Sequence, residues 1–161
     1  MDRLETVRMR VDAIIQTLNQ EEDRKFAYLH LYGVSQCATM LALMRGLNAE
    51  WCAIAAMLHD IATYALNIGH RDHAQKSAAM AEQLLHELGC FQQKEIVCIV
   101  YAIAHHSEKQ WKDDDPYAEV LKDADVLEHY LYHPHHSLSE SQRWRLDLLH
   151  ISSCALQHID T

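Results

Sequence analysis

Thirteen of the 161 residues are histidine, several times ordinary usage, and imidazole is the commonest metal ligand among side chains. Five ligand-type positions, His30, His59, Asp60, His73 and His106, stand at the inward ends of apolar stripes, and a carboxylate follows at Asp125. Buried ionisable groups need partners, and helical bundles build metal sites from inward-facing ligands on separate helices. Neutral imidazole mixed with hard carboxylate favours a divalent first-row ion (Mn, Fe, Co, Ni or Zn) over calcium or an iron–sulfur cluster. His30, His59, Asp60 and Asp125 suffice for one ion, and His73 and His106 extend the set to two, with Asp60 as the bridge. Two neighbours leave alternatives open: His105 beside His106, and Asp123 beside Asp125.

The elements that must position these groups are helices. Four Gly and two Pro are too few for the turns of a sandwich or barrel, and apolar residues recur at helical spacing in seven stretches. The first, 4–18, carries Leu4, Val7, Val11, Ile14, Ile15 and Leu18 on one stripe. The second, 22–45, stops at Gly46 and carries Phe26, His30, Gly33, Cys37, Leu41 and Met44 on another. The third, 49–64, is apolar all round before it delivers His59 and Asp60. The fourth, 73–88, starts with His73, and the fifth, 92–106, aligns Ile96, Ile99, Ile103 and His106 while turning His105 to another face. The sixth, 117–132, follows Pro116 and carries Asp123 and Asp125. The last, 139–159, opens on a Ser-x-x-Gln capping signal and reads as a covering helix. The expected architecture is an all-α, single-domain bundle of six to seven helices over residues 1–161, with the metal site in its core.

Composition excludes several other readings. The five cysteines are odd in number and scattered, as befits reduced core thiols and not a disulfide framework. A formal net charge of −9 argues against phosphate-backbone binding, so no nucleic-acid partner is expected. The longest apolar run, Ile96 to Ala104, is well short of the roughly 18 residues a membrane helix needs. The charged opening MDRLETVRMR is unlike a secretion signal, and a cytoplasmic location is the expectation.

The ordered blocks HLYGVSQCATMLA, AAMLHDIATY, HAQKSAAMAEQLL, IVYAIAHHS and VLKDADVLEHYLY carry a resemblance over about residues 26–132. The sequence resembles the HD-domain superfamily of metal-dependent phosphohydrolases, whose pattern is His, then His-Asp, then Asp on separate helices; here these are His30, His59-Asp60 and Asp125. In two-metal relatives the additional histidines fall where His73 and His106 stand, so the resemblance implies the six-ligand variety, and it favours Asp125 over Asp123. Two departures stand out. Many relatives follow the doublet with Gly-Lys, whereas this chain reads Ile61-Ala62-Thr63, and the Gly-Tyr-Pro signature of the cyclic-di-GMP branch is missing.

The resemblance implies hydrolysis of a phosphate ester or anhydride of a small molecule, a nucleotide by preference, with His59 and Asp60 at the catalytic centre and water activated by one or two divalent ions. With the usual lysine missing, Lys109, then Arg71, then Lys122 are the candidates to meet the phosphate; His105 and His70 are further candidates to line the cleft. A di-iron oxygenase of the same fold and a non-catalytic nucleotide-binding module are the alternative readings. Pairing with a second copy is left open.

Overall fold

A computed structural model describes residues 2–66, 68 and 72–151. Among them are eight helices: α1 Arg3–Ile15, α2 Glu21–Arg45, α3 Ala49–Leu58, α4 Ile61–Leu66, α5 His73–Leu88, α6 Gln93–His105, α7 Pro116–Tyr132 and α8 Glu140–Leu148. All-helical architecture follows from the periodicities above, with three differences in detail. α1 ends at Ile15, and Leu18 is reached through a turn. The expected single helix over 49–64 is broken at the His59-Asp60 doublet into α3 and α4. The last helix does not run to 159: His150 takes a left-handed φ of 57°, and the Ile151 N–H donates back to Leu146 O at 3.0 Å. That reversal closes the helix with its own carbonyls; residues 152–159 lie outside the described ones.

α3 is the axis of the fold. From Cys52 to Leu58 every side chain is buried, which is why the sequence there lacks a polar face. α1, α2, α5, α6 and α7 all pack on it, and Val11, Leu31, Ile54, Leu58, Leu85, Ile99 and Leu121 belong to their common core. α8 sits on α7 over a smaller cluster of Val126, Leu127, Tyr130 and Leu146. Cys37, Cys52, Cys90 and Cys98 are free thiols, although Cys90 is exposed and not in the core; Cys154 lies outside the described residues.

Beside this apolar core runs a buried ionic network. Arg145 of α8, fully buried, donates to Asp123 Oδ1 at 2.6 Å and Glu119 Oε2 at 3.0 Å on α7. It also donates to two backbone carbonyls of the α6–α7 loop, Lys109 O at 2.9 Å and Trp111 O at 2.7 Å. Asp123 receives a second guanidinium, from Arg45 at 2.5 Å. Lys122, also fully buried, is held by Asp114 at 2.7 Å and Glu119 at 3.1 Å. The network therefore ties α2, α7, α8 and the α6–α7 loop together. Asp123 belongs to it, which separates this residue from the candidate ligands.

Candidate metal centre

Two of the expected ligands are aimed by their own helices. At the end of α3 the His59 ring turns back, and its Nδ1 lies 2.7 Å from Ala56 O; at the end of α6 the Nδ1 of His106 lies 2.7 Å from Ile103 O. A carbonyl can only accept, so Nδ1 carries the proton in each ring. The bond to a carbonyl three residues back turns Nε2, with its lone pair, toward the interior. At Ala56 this contact coincides with the break between α3 and α4 at the doublet.

The remaining groups converge on these two nitrogens. His30 Nε2, from the middle of α2, lies 3.2 Å from His59 Nε2, and Asp125 Oδ1, from α7, lies 3.7 Å from His30 and 3.9 Å from His59. His73 Nε2, at the start of α5, lies 3.1 Å from His106 Nε2. Asp60 stands between the two pairs and divides its oxygens. Oδ2 is 3.6 Å from both His30 and His59, whereas Oδ1 is 3.3 Å from His73 and 3.4 Å from His106.

These contacts fit cations. Ligands bound at about 2.1 Å from a first-row ion stand about 3.0–3.4 Å apart in tetrahedral or octahedral geometry; the His73, His106 and Asp60 set, at 3.1–3.4 Å, falls in this range, and the His30, His59, Asp60 and Asp125 set, at 3.2–3.9 Å, is somewhat wider. Asp60 Oδ1 and Asp125 Oδ1 are buried and accept no hydrogen bond, the condition that a cation relieves. A cation also resolves the approach of imidazole nitrogens whose lone pairs face a common point. His30, His59 and Asp125, with Asp60 Oδ2, would hold one ion; His73 and His106, with Asp60 Oδ1, would contribute to a second.

Charge at the centre is strongly coupled. Burial pushes His59 down to about 4, so it is neutral and ready to coordinate. Burial also opposes protonation of His30, but Asp60, Glu128 and Asp125 around it outweigh this and push it up to about 10, so that a cation would take the place of the proton on Nε2. Burial works to raise Asp60, yet the imidazoles of His59, His106 and His30 hold it well below the usual carboxylate range. Asp125 is likewise lowered against its burial, first by Lys109 and then by the same rings.

Of the residues singled out from sequence, His30, His59, Asp60, His73, His106 and Asp125 are thus brought to one place. Lys109 joins them: its Nζ lies 2.5 Å from Asp125 Oδ2 and 3.3 Å from His106 O. His105 and Lys122 do not. His105 stacks on Tyr101 with ring centroids 4.2 Å apart and bonds Glu108 at 2.9 Å. Lys122, expected as a third phosphate contact, is occupied in the ionic network by Asp114 and Glu119. His70 and Arg71 lie outside the described residues. One member of the centre went unnoticed in the sequence: Glu128, whose Oε2 lies 2.8 Å from His30 Nδ1. Its position three residues after Asp125, on the same helix face, was the available signal. His129, one turn beyond Asp125, keeps Nε2 3.4 Å from Asp125 Oδ1 although its side chain is half-exposed.

Division of the ligands into two sets has a measurable consequence. In His73→Ala, the cation content of protein reconstituted with Mn²⁺ should fall from near two toward one per chain, because the His30, His59, Asp60 and Asp125 set is untouched. Elemental analysis reads this directly, and a wild-type content of one, unchanged by the substitution, would remove His73 from the ligand set.

No curated protein matches the sequence. The fold is similar to a crystal structure described as a predicted HD superfamily hydrolase from an uncultured Thermotogales bacterium. The TM-score is 0.61 and the identity 22%, over 86% of this chain and 82% of that one. The model of the HD domain matches residues 27–130, a span that holds the six converging side chains and Lys109, and the chain therefore belongs to the HD-domain family.

Proposed function

We propose that this protein is a metal-dependent phosphohydrolase that cleaves a phosphate ester or anhydride of a small molecule, a nucleotide by preference. The observation that carries the reading is the division of the Asp60 oxygens between two sets of imidazoles, with an ammonium group beside them. Divalent cations, when bound, supply Lewis acidity toward a phosphoryl oxygen and lower the pKa of water. Every other contribution comes from the chain. Asp60 spaces the two sets and offers a carboxylate oxygen to each. His59 and His106, with their protons committed to carbonyls, present fixed lone pairs and need no reorganisation when the site is loaded. Lys109 supplies the positive charge that the residues after the doublet lack, since Thr63 stands where many relatives have lysine. An anionic substrate approaching a chain of net charge −9 requires such a local inversion of field.

The nucleotide preference is supported by the rings around His30. Phe26 lies nearly parallel to it, with centroids 5.9 Å apart and planes at 8°; Tyr132 meets Phe26 edge-on at 6.4 Å, and His129 lies 4.9 Å from His30. Phe26, His129 and Tyr132 are all half-exposed, so flat aromatic surface is available close to the centre for a base to stack on.

The test is phosphate release by protein loaded with Mn²⁺, Co²⁺ or Ni²⁺ and assayed anaerobically against nucleotides, cyclic nucleotides, dinucleoside polyphosphates and sugar phosphates. Turnover without oxygen supports the proposal. Oxygen consumption by iron-loaded protein with no phosphate release would overturn it in favour of an oxygenase, and loaded protein that binds nucleotides without turnover would make it a binding module.

Within that assay Lys109 has a defined place. Its ammonium can neutralise a non-bridging oxygen as charge develops, so it contributes more in the transition state than in the ground state. Lys109→Ala should lower phosphate release about tenfold to a hundredfold, on the order of 1.4–2.8 kcal/mol. Metal content should not fall, because the substitution removes a competing cation from Asp125. Unchanged turnover would mean that the positive charge is drawn from elsewhere, and Arg71 would be substituted next.

A further inference from the structure

The three buried histidines of the centre are not oriented in the same way. His59 and His106 take their alignment from carbonyls three residues back on their own helices. His30 lies in the interior of α2, where the carbonyls are used by the helical ladder, and its Nδ1 faces a side chain from another helix, Glu128 of α7 at 2.8 Å. Both residues are buried. Glu128 addresses the nitrogen opposite the one that faces His59, so it acts on the ring from behind and does not share the ligand position of Nε2.

α2 is shaped to admit this carboxylate. Gly33, three residues after His30, has no left-handed φ to explain it, and glycine inside a helix costs about 1 kcal/mol relative to alanine. A Cβ at Gly33 would lie 2.8 Å from Glu128 Cγ and 3.2 Å from its Oε1. A methyl group there would therefore push the Glu128 side chain out of the position it occupies against His30.

We propose that Glu128 is the positioning residue for His30, fixing the ring with Nε2 toward the cation and raising its basicity, and that Gly33 is the notch that makes this contact sterically possible. A carboxylate behind a coordinating imidazole commonly strengthens metal binding about tenfold to a hundredfold. The inference rests on the reading of the centre as a cation site and is independent of which reaction it catalyses.

The experiment is titration of the metal-free full-length chain with Co²⁺, followed by its visible absorption and by competition with a chromogenic chelator. Glu128→Ala should weaken the cation held by the His30 set by about tenfold to a hundredfold and leave the His73 and His106 set unaltered. Glu128→Gln, which keeps the shape and an acceptor oxygen but not the charge, should fall between wild type and Glu128→Ala, and it also serves should the alanine variant not fold. Gly33→Ala leaves the carboxylate chemically intact yet should weaken the same cation, and its effect should be less than additive with that of Glu128→Ala, because both act through one contact. Wild-type Co²⁺ affinity and spectrum in Glu128→Gln and Glu128→Ala would overturn the proposal, as would effects of Gly33→Ala and Glu128→Ala that simply add. A wild-type chain that binds Co²⁺ but releases no phosphate would refute the proposed function while leaving Glu128 in this role. A wild-type chain that binds no Co²⁺ would remove the basis of both.

Discussion

Asp60→Ala should purify with both cation positions empty, and its phosphate release should be at least about a thousandfold below that of wild type. Its two oxygens are divided between the imidazole sets: Oδ2 lies 3.6 Å from His30 and His59, and Oδ1 lies 3.3–3.4 Å from His73 and His106. Removing it takes one ligand from each set and the negative charge that would offset two divalent cations packed close together. Such cations contribute several kcal/mol of transition-state charge stabilisation, and each 1.4 kcal/mol is a factor of ten in rate; about 4–5 kcal/mol gives the stated loss. Thermal melting supplies an internal control. Wild type should melt higher with Mn²⁺ than with chelator, since a ligand that binds the folded state alone stabilises it, and that difference should vanish in Asp60→Ala. Retention of full metal content by the variant would remove Asp60 from the centre.

The second large effect concerns stability. Arg145→Ala should lower the melting temperature by about 6–20 °C. The guanidinium is fully buried and satisfies Asp123, Glu119 and two carbonyls. Truncating one side of a buried charged network costs about 3–5 kcal/mol, because the partner charges remain, and each kcal/mol is worth about 2–4 °C in a chain of this size. Arg143, exposed on the same helix, is the natural contrast, and its replacement by alanine should change stability by no more than about 0.5 kcal/mol. A melting temperature for Arg145→Ala within about 2 °C of wild type would show that the network is dispensable. In a surviving folded fraction the Lys109 loop should also be looser, since Arg145 holds Lys109 O at 2.9 Å.

The parts of this arrangement that were legible in the sequence are those that depend on helical period. Ligand-type residues continuing apolar stripes placed His30, His73 and His106 on inward faces, and a helix apolar all round had to end on a doublet with partners. What remained illegible depends on which helix faces which. Gly33 reads as a weak point inside a helix until Glu128 is seen against it. Lys122 reads as a cation near the last ligand, and only the fold shows it turned away to Asp114 and Glu119. Arg145 lies in a segment that reads as a cover, yet it is the centre of the ionic network. The break after Leu58 is hidden in the same way: nothing in the apolar periodicity anticipates that the helix stops at the doublet, where the histidine ring meets the Ala56 carbonyl.

The ligands of the centre come from positions 30, 59, 60, 73, 106 and 125, so cations held there would join five separate stretches of backbone at neighbouring points. Topologically this is what a set of cross-links does, closing several long loops at once, here only for as long as the folded chain holds the cations. The described cysteines form no such links. Tautness in this fold would then be reversible, taken up when metal is plentiful and let out when it is scarce, with no covalent bond made or broken.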